Sequence, residues 1–107
     1  MARSIHPDRF GCHRVLEPRG VFPQVAWKLD NDCSRLYDNE TLIDVATLNI
    51  DSASFREINE RAQGNHATVR SIMMAIVNDR GKMQNPVTGS GGMLLGTVER
   101  IGVRIAK

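Results

Sequence analysis

The sequence predicts a β-rich α+β domain, and three observations carry that expectation. The first third of the chain alternates short extended pieces with turn signals. A strand-like segment, Thr41 to Ile50, leads into two segments of helical spacing. A glycine-dense loop, Asn85 to Gly92, then runs straight into a second strand-like segment, Met93 to Ile101. Extended, then helical, then extended again is the order of a small barrel or sheet with a helical excursion, not of a doubly wound sheet.

Each element has its own signal. Phe10 to Glu17 reads as a strand, and Glu17-Pro18-Arg19-Gly20 as a turn with proline second and glycine fourth. Pro23 interrupts Val21 to Leu29, which predicts an edge or an irregular path. Leu29 to Glu40 is polar, with Asp30-Asn31-Asp32 and Asp38-Asn39 as turn signals. Thr41 to Ile50 carries apolar residues on both alternating faces, the pattern of a strand buried on most of its surface.

Ser54-Phe55-Arg56-Glu57 matches a capping box, with Ser54 as N-cap and Glu57 three residues on. Phe55, Ile58 and Ala62 then share a face, and Gly64 stops the helix. Asn65 caps a second helix whose Val69, Ile72, Met73, Ile76 and Val77 repeat at helical spacing, with Arg80 in the last turn and Gly81 just beyond. Met73, Met74 and Met83 read as packing residues. Val103 to Ile105 starts a further extended piece.

At 107 residues the chain suits one domain, and 41% hydrophobic against 24% charged residues marks it as globular rather than disordered. A formal charge of only +2, with no basic run interleaved with aromatics, argues against nucleic acid as a partner. The longest apolar run, Ile72 to Val77, is far too short to span a membrane, and residues 1–15 lack the apolar core of a signal peptide. Two cysteines, Cys12 and Cys33, make no disulfide framework, so a reducing cytoplasm is the expected compartment.

Cys12, His13, Cys33, His6 and His66 have none of the spacings of a zinc site, and no metal is expected. Thr88-Gly89-Ser90-Gly91-Gly92 offers clustered N–H groups and two hydroxyls, which suits an anion nest. It lacks a Walker lysine and precedes a strand rather than a helix, and no G-x-G-x-x-G fingerprint is present. The chain therefore carries no dinucleotide module of its own. Asn49-Ile50-Asp51-Ser52-Ala53-Ser54 marks a strand end turning into a helix. Asp51 and Ser52 there serve either as helix caps or as a carboxylate and hydroxyl displayed to a ligand. His13 is a candidate acid or base, or a hydrogen-bonded structural residue. Lys28 and Arg14 suit a carboxylate, though nothing in their spacing singles them out.

Leu42-Ile43-Asp44-Val45, Leu48-Asn49-Ile50-Asp51-Ser52-Ala53-Ser54-Phe55 and Gly96-Thr97-Val98-Glu99-Arg100-Ile101-Gly102 together resemble the N-terminal, GroES-like catalytic domain of medium-chain alcohol dehydrogenases. The longer strings Gly11 to Val21 and Gly81 to Leu94 are similar to a branch of that superfamily acting on a diamino acid in lysine fermentation. The resemblance implies a GroES-like, partly open β-barrel with a two-helix insertion over about residues 52–82. It implies that residues 1–107 are the substrate-side domain of an NAD- or NADP-dependent oxidative deaminase, inactive alone. A Rossmann cofactor domain would lie outside this chain, and the full-length enzyme would be a homodimer.

Two departures from the wider pattern matter. Asp51 stands at the corner where zinc-dependent members carry a cysteine ligand, and Gly92-Met93 where they carry a His-Glu pair, so a zinc-independent reaction is expected. The resemblance then suggests Asp51 and His13 as catalytic residues. It suggests Asn49, Ser52, Asn85, Thr88 and Ser90 as substrate contacts, and Gly91 and Gly92 as cofactor contacts. The rival reading is a stand-alone, non-enzymatic GroES-like binding or scaffold barrel. A phosphate-binding regulatory module is a third reading and rests on the glycine loop alone.

Overall fold

A computed structural model describes residues 7–104. The chain divides into two compact units, one formed by residues up to Asp44 with those from Gly96 onward, the other by Val45–Leu95. It is an α+β structure of two helices and two two-stranded sheets.

In the first unit, Gly11 takes φ +81° and opens a 3-10 turn over Cys12–Arg14. Asp8 Oδ2 drives that turn by accepting from the N–H groups of Phe10, at 2.8 Å, and Cys12, at 3.2 Å. The strand expected over Phe10 to Glu17 is therefore cut to its last three residues, β1 (Val15–Glu17). It pairs antiparallel with β2 (Lys28–Leu29) through Val15–Leu29 and Glu17–Lys28. The Glu17–Pro18 peptide is cis. As Pro23 foretold, the run before β2 is irregular, with Val25 and Ala26 both donating to the Phe22 carbonyl. Val15 and Ala26 are the buried apolar residues of this unit.

The second unit is built on its helices. α1 (Ser52–Arg61) starts three residues earlier than the capping-box reading requires, because Asp51 and not Ser54 is the N-cap: Asp51 Oδ1 accepts the Ser54 N–H at 2.8 Å. Glu57 consequently does not reach back to close a box. α2 (His66–Arg80) is capped as expected, Asn65 Oδ1 accepting from the Thr68 N–H at 3.1 Å, and it ends on Gly81 at φ +74°. Ile58 and Ala62 of α1 pack on Val69 and Ile76 of α2, with Ile72, Met73 and Met83 closing the cluster. Phe55 and Met74, both expected in the core, are instead 42% and 57% exposed. Replacing Asn65 by alanine removes a well-formed cap, and urea unfolding is expected to register a loss of about 1 kcal/mol.

β3 (Thr41–Ile50) and β4 (Gly92–Ile101) are the two long strands and form the second sheet. Asp51 N–H donates to the Gly91 carbonyl at one end, and Gly102 N–H to the Glu40 carbonyl at the other, which makes the pair antiparallel. β3 has the bounds its sequence predicts, but not the burial. Both strands are largely exposed, because among the described residues each has one hydrogen-bonded neighbour and no third strand joins them. The described strands form two separate pairs rather than a barrel. The helices fall between β3 and β4, where an insertion over about 52–82 was expected. Val103 and Arg104 form a turn rather than a strand; Ile105, like His6, lies outside the described residues. No helix of the described residues is long and apolar enough to cross a membrane.

Candidate functional site

In the second unit, the end of β3, the start of α1 and the glycine loop meet at Asp51. Its Oδ1 caps α1 and also accepts from Ser90 Oγ at 3.1 Å. Ser90 Oγ is 2.8 Å from Thr88 Oγ1, which also accepts the Ser90 N–H at 3.3 Å. Asp51 Oδ2 takes part in none of the hydrogen bonds among the described residues. One carboxylate oxygen thus ties helix to loop, while the other takes no part in those bonds, and Asp51 itself is half-buried. Anion and hydroxyl at one corner suit an ammonium group, to which a carboxylate offers charge and a hydroxyl an acceptor lone pair.

Asn85 holds the loop from beneath. It is fully buried, and its Nδ2 donates to Glu57 Oε1 at 2.8 Å and to the Ser54 carbonyl at 3.4 Å. Its Oδ1 accepts the Val87 N–H at 2.9 Å. Its main chain donates to the Ser90 carbonyl and accepts from Gly89 N–H. Every polar atom of Asn85, expected as a substrate contact, is engaged within the fold, where the residue positions the loop. Its Nδ2, and then Arg61, hold the Glu57 carboxyl below its ordinary value. Arg80, buried in the last turn of α2, donates to the Gln84 main-chain carbonyl and to Gln84 Oε1, and Gln84 Nε2 donates to the Gly89 carbonyl at 3.1 Å.

The two glycines assigned to a cofactor have a nearer neighbour. A Cβ at Gly91 would collide with the Met83 carbonyl, and one at Gly92 with the Asn49 carbonyl. Their bareness admits the protein's own backbone at these two positions. Asn49 and Ser52 are exposed, Asn49 on β3 and Ser52 in the first turn of α1, flanking Asp51 in sequence.

His13 belongs to the other unit. Its side chain is 2% exposed; Nδ1 accepts the Asp8 N–H at 2.9 Å, which places the ring proton on Nε2, 2.9 Å from Glu40 Oε2. Both nitrogens of this expected catalytic residue are committed to partners within the first unit. Glu40 also receives Arg14 through two nitrogens, Nε and Nη2, each at 2.8 Å, and accepts the Tyr37 N–H at 2.9 Å. The Arg14 fork is the chief reason the Glu40 carboxyl falls to about 2 from 4.5. The Arg14 guanidinium also lies over the Tyr37 ring, 4.8 Å from its centroid. Sequence reading missed Glu40 and Glu57 as hubs. Glu40 is 27 residues from His13 and has no local signal; the pairing of Glu57 with Asn85 was hidden behind its apparent capping role.

Both cysteines are free, and burial together with Asp8 raises the Cys12 thiol. Among the described residues no three His, Cys, Asp or Glu side chains converge on one point.

Comparison with known proteins first gives the class, an N-terminal domain of a dehydrogenase. The family described as the L-erythro-3,5-diaminohexanoate dehydrogenase N-terminal domain matches residues 13–107, and the chain belongs to it. It is 58% identical over 94 residues to the L-erythro-3,5-diaminohexanoate dehydrogenase of Fusobacterium nucleatum subsp. nucleatum. It is 54% identical over 94 residues to the enzyme of that name from Acetoanaerobium sticklandii. Each match covers 88% of this chain but 27% of the relative, so the chain spans about a quarter of the length of these curated relatives.

Proposed function

We propose that this chain is the substrate-side domain of an enzyme that oxidatively deaminates 3,5-diaminohexanoate to 5-amino-3-oxohexanoate and ammonia. Family membership and the dehydrogenase relatives support the reaction class. The single observation that carries the site is Asp51, with one oxygen fixed by Ser54 and Ser90 and the other outside those bonds. In this reading Asp51 Oδ2 binds the ammonium that leaves, and Ser90, Thr88, Ser52 and Asn49 offer hydrogen bonds around it.

The chemistry constrains what such a site must do. Hydride departs from carbon only when the attached nitrogen holds a free electron pair, so the ammonium must first lose a proton. The resulting imine takes up water and releases ammonia. NAD or NADP, bound by a Rossmann domain outside this chain, is the hydride acceptor. Holding the amine within roughly 3–3.5 Å of its reaction partner is the contribution asked of the fold. The reaction is read as zinc-independent, since Asp51 and Gly92-Met93 occupy the places where metal-dependent relatives keep ligands. The rest of the reading is a GroES-like, partly open barrel with a two-helix insertion over about residues 52–82, a homodimer and a cytoplasmic setting.

The test is NAD(P)⁺ reduction with 3,5-diaminohexanoate by the complete polypeptide, wild type against Asp51→Asn. Asparagine caps a helix as well as aspartate does, so the fold is retained while the charge is lost. A fall in kcat/KM of at least about tenfold, roughly 1.4 kcal/mol, is expected. Unchanged kinetics would remove Asp51 from the site. No turnover by the wild type with either nucleotide would return the chain to the scaffold reading.

A further inference from the structure

The second unit exposes an apolar surface that its own helices do not cover. Val45 and Leu48 on β3 are each 47% exposed, and Met93, Leu94 and Leu95 on β4 are 69%, 44% and 71% exposed. Successive strand residues point to opposite faces, so Met93 and Leu95 lie on one side and Leu94 on the other. Both faces are therefore apolar. Among the described residues each strand has one hydrogen-bonded neighbour, which leaves its other edge unpaired by them. An isolated two-stranded ribbon is marginal in water, and strands apolar on both faces belong inside a covered sheet.

The curated relatives say what is available to cover it, since nearly three-quarters of their length lies beyond the match. We propose that this half of the β3–β4 ribbon is the docking surface for the remainder of the polypeptide, which lays extended, apolar segments along its edges and over both faces. A second copy of the chain fits less well. A two-fold pair buries the same face of each ribbon and leaves the opposite one bare. The inference rests on family membership and not on the substrate reading, so a protected ribbon in an inactive protein would sink the latter alone.

Hydrogen exchange on the complete polypeptide tests it. Amides of 93–95 are expected to be protected about 100-fold or more over a free ribbon, at a level independent of protein concentration. Leu95→Asp is expected to lower Tm by several degrees, whereas Met74→Asp, on an exposed site of α2, leaves it within a degree or so. Should Leu95→Asp fail to fold, Leu95→Ala and the wild-type exchange pattern carry the same comparison. Ribbon amides exchanging freely, equal effects of the two aspartate variants, protection that grows with concentration, or a reading frame that ends at Lys107 would each overturn the proposal.

Discussion

Glu40→Gln is expected to lower the unfolding free energy by about 3 kcal/mol at neutral pH, measured by urea titration. The carboxylate receives Arg14 through two nitrogens, His13 Nε2 and the Tyr37 N–H, and all four donors point at it. An amide offers one acceptor oxygen and turns an N–H₂ group toward the remaining donors, leaving Arg14, whose side chain is 15% exposed, with only the more distant Asp30 carboxylate, 3.8 Å away, as counter-charge. The pH dependence has a definite sign. The folded carboxyl sits at about 2 and its ordinary value is 4.5. The native state thus holds fewer protons between those values, and the contribution is fully present above about pH 4.5 and lost as pH falls through about 2. Over that window the gap corresponds to about 3 kcal/mol, reduced to about 1–2 by solvent at a side chain that is 20% exposed. Wild type should lose that amount on acidification beyond what Glu40→Gln loses, and parallel acid slopes would dismiss the ion pair as a stabilising element.

Asn85→Ala is expected to cost about 3 kcal/mol or more, and Asn85→Asp to cost more still at neutral pH. The alanine variant takes the acceptor from the Val87 N–H, leaves the Ser54 carbonyl and Glu57 Oε1 without the Asn85 amide, and opens a void at a fully buried site. The aspartate variant sets a second carboxylate against Glu57 Oε1, which accepts from Nδ2 at 2.8 Å in the wild type. Like charges at that distance push each other's protonation upward, so acidification toward about pH 4 should recover part of the loss only in Asn85→Asp. Thermal unfolding of both variants at pH 7 and pH 4 separates the two effects. If both melt like wild type at pH 7, Asn85 does not hold the loop.

The elements whose information is local were legible in the chain. β3 has its expected bounds, and Asn65 and Gly81 end α2 as their chemistry dictates, because a cap acts on the next turn and a strand pattern acts along itself. The choice between Asp51 and Ser54 as N-cap was not legible. Both residue types cap well, and the residue that does cap shares its oxygen with Ser90, a partner 39 residues away that no local pattern shows. The site was half legible. Asp51, Thr88 and Ser90 are brought together as a strand end and a polar loop suggested, but His13 and Asn85 are consumed by partners no local pattern reveals. The burial expected of β3 failed for a related reason: an apolar pattern states a need for cover without naming what supplies it.

The discontinuous make-up of the first unit sets an order of events during synthesis. Val45–Leu95 is one uninterrupted stretch, and every residue of its helical core has been made before the first unit is whole. The earlier residues must wait for Gly102 to reach the Glu40 carbonyl and for Arg104 N–H to reach the Asp38 carbonyl. On the ribosome, where chains emerge at about 5–20 residues per second, the later-encoded segment can complete its contacts ahead of the earlier one. The His13–Glu40–Arg14 cluster, though written first, is then among the last parts to be locked.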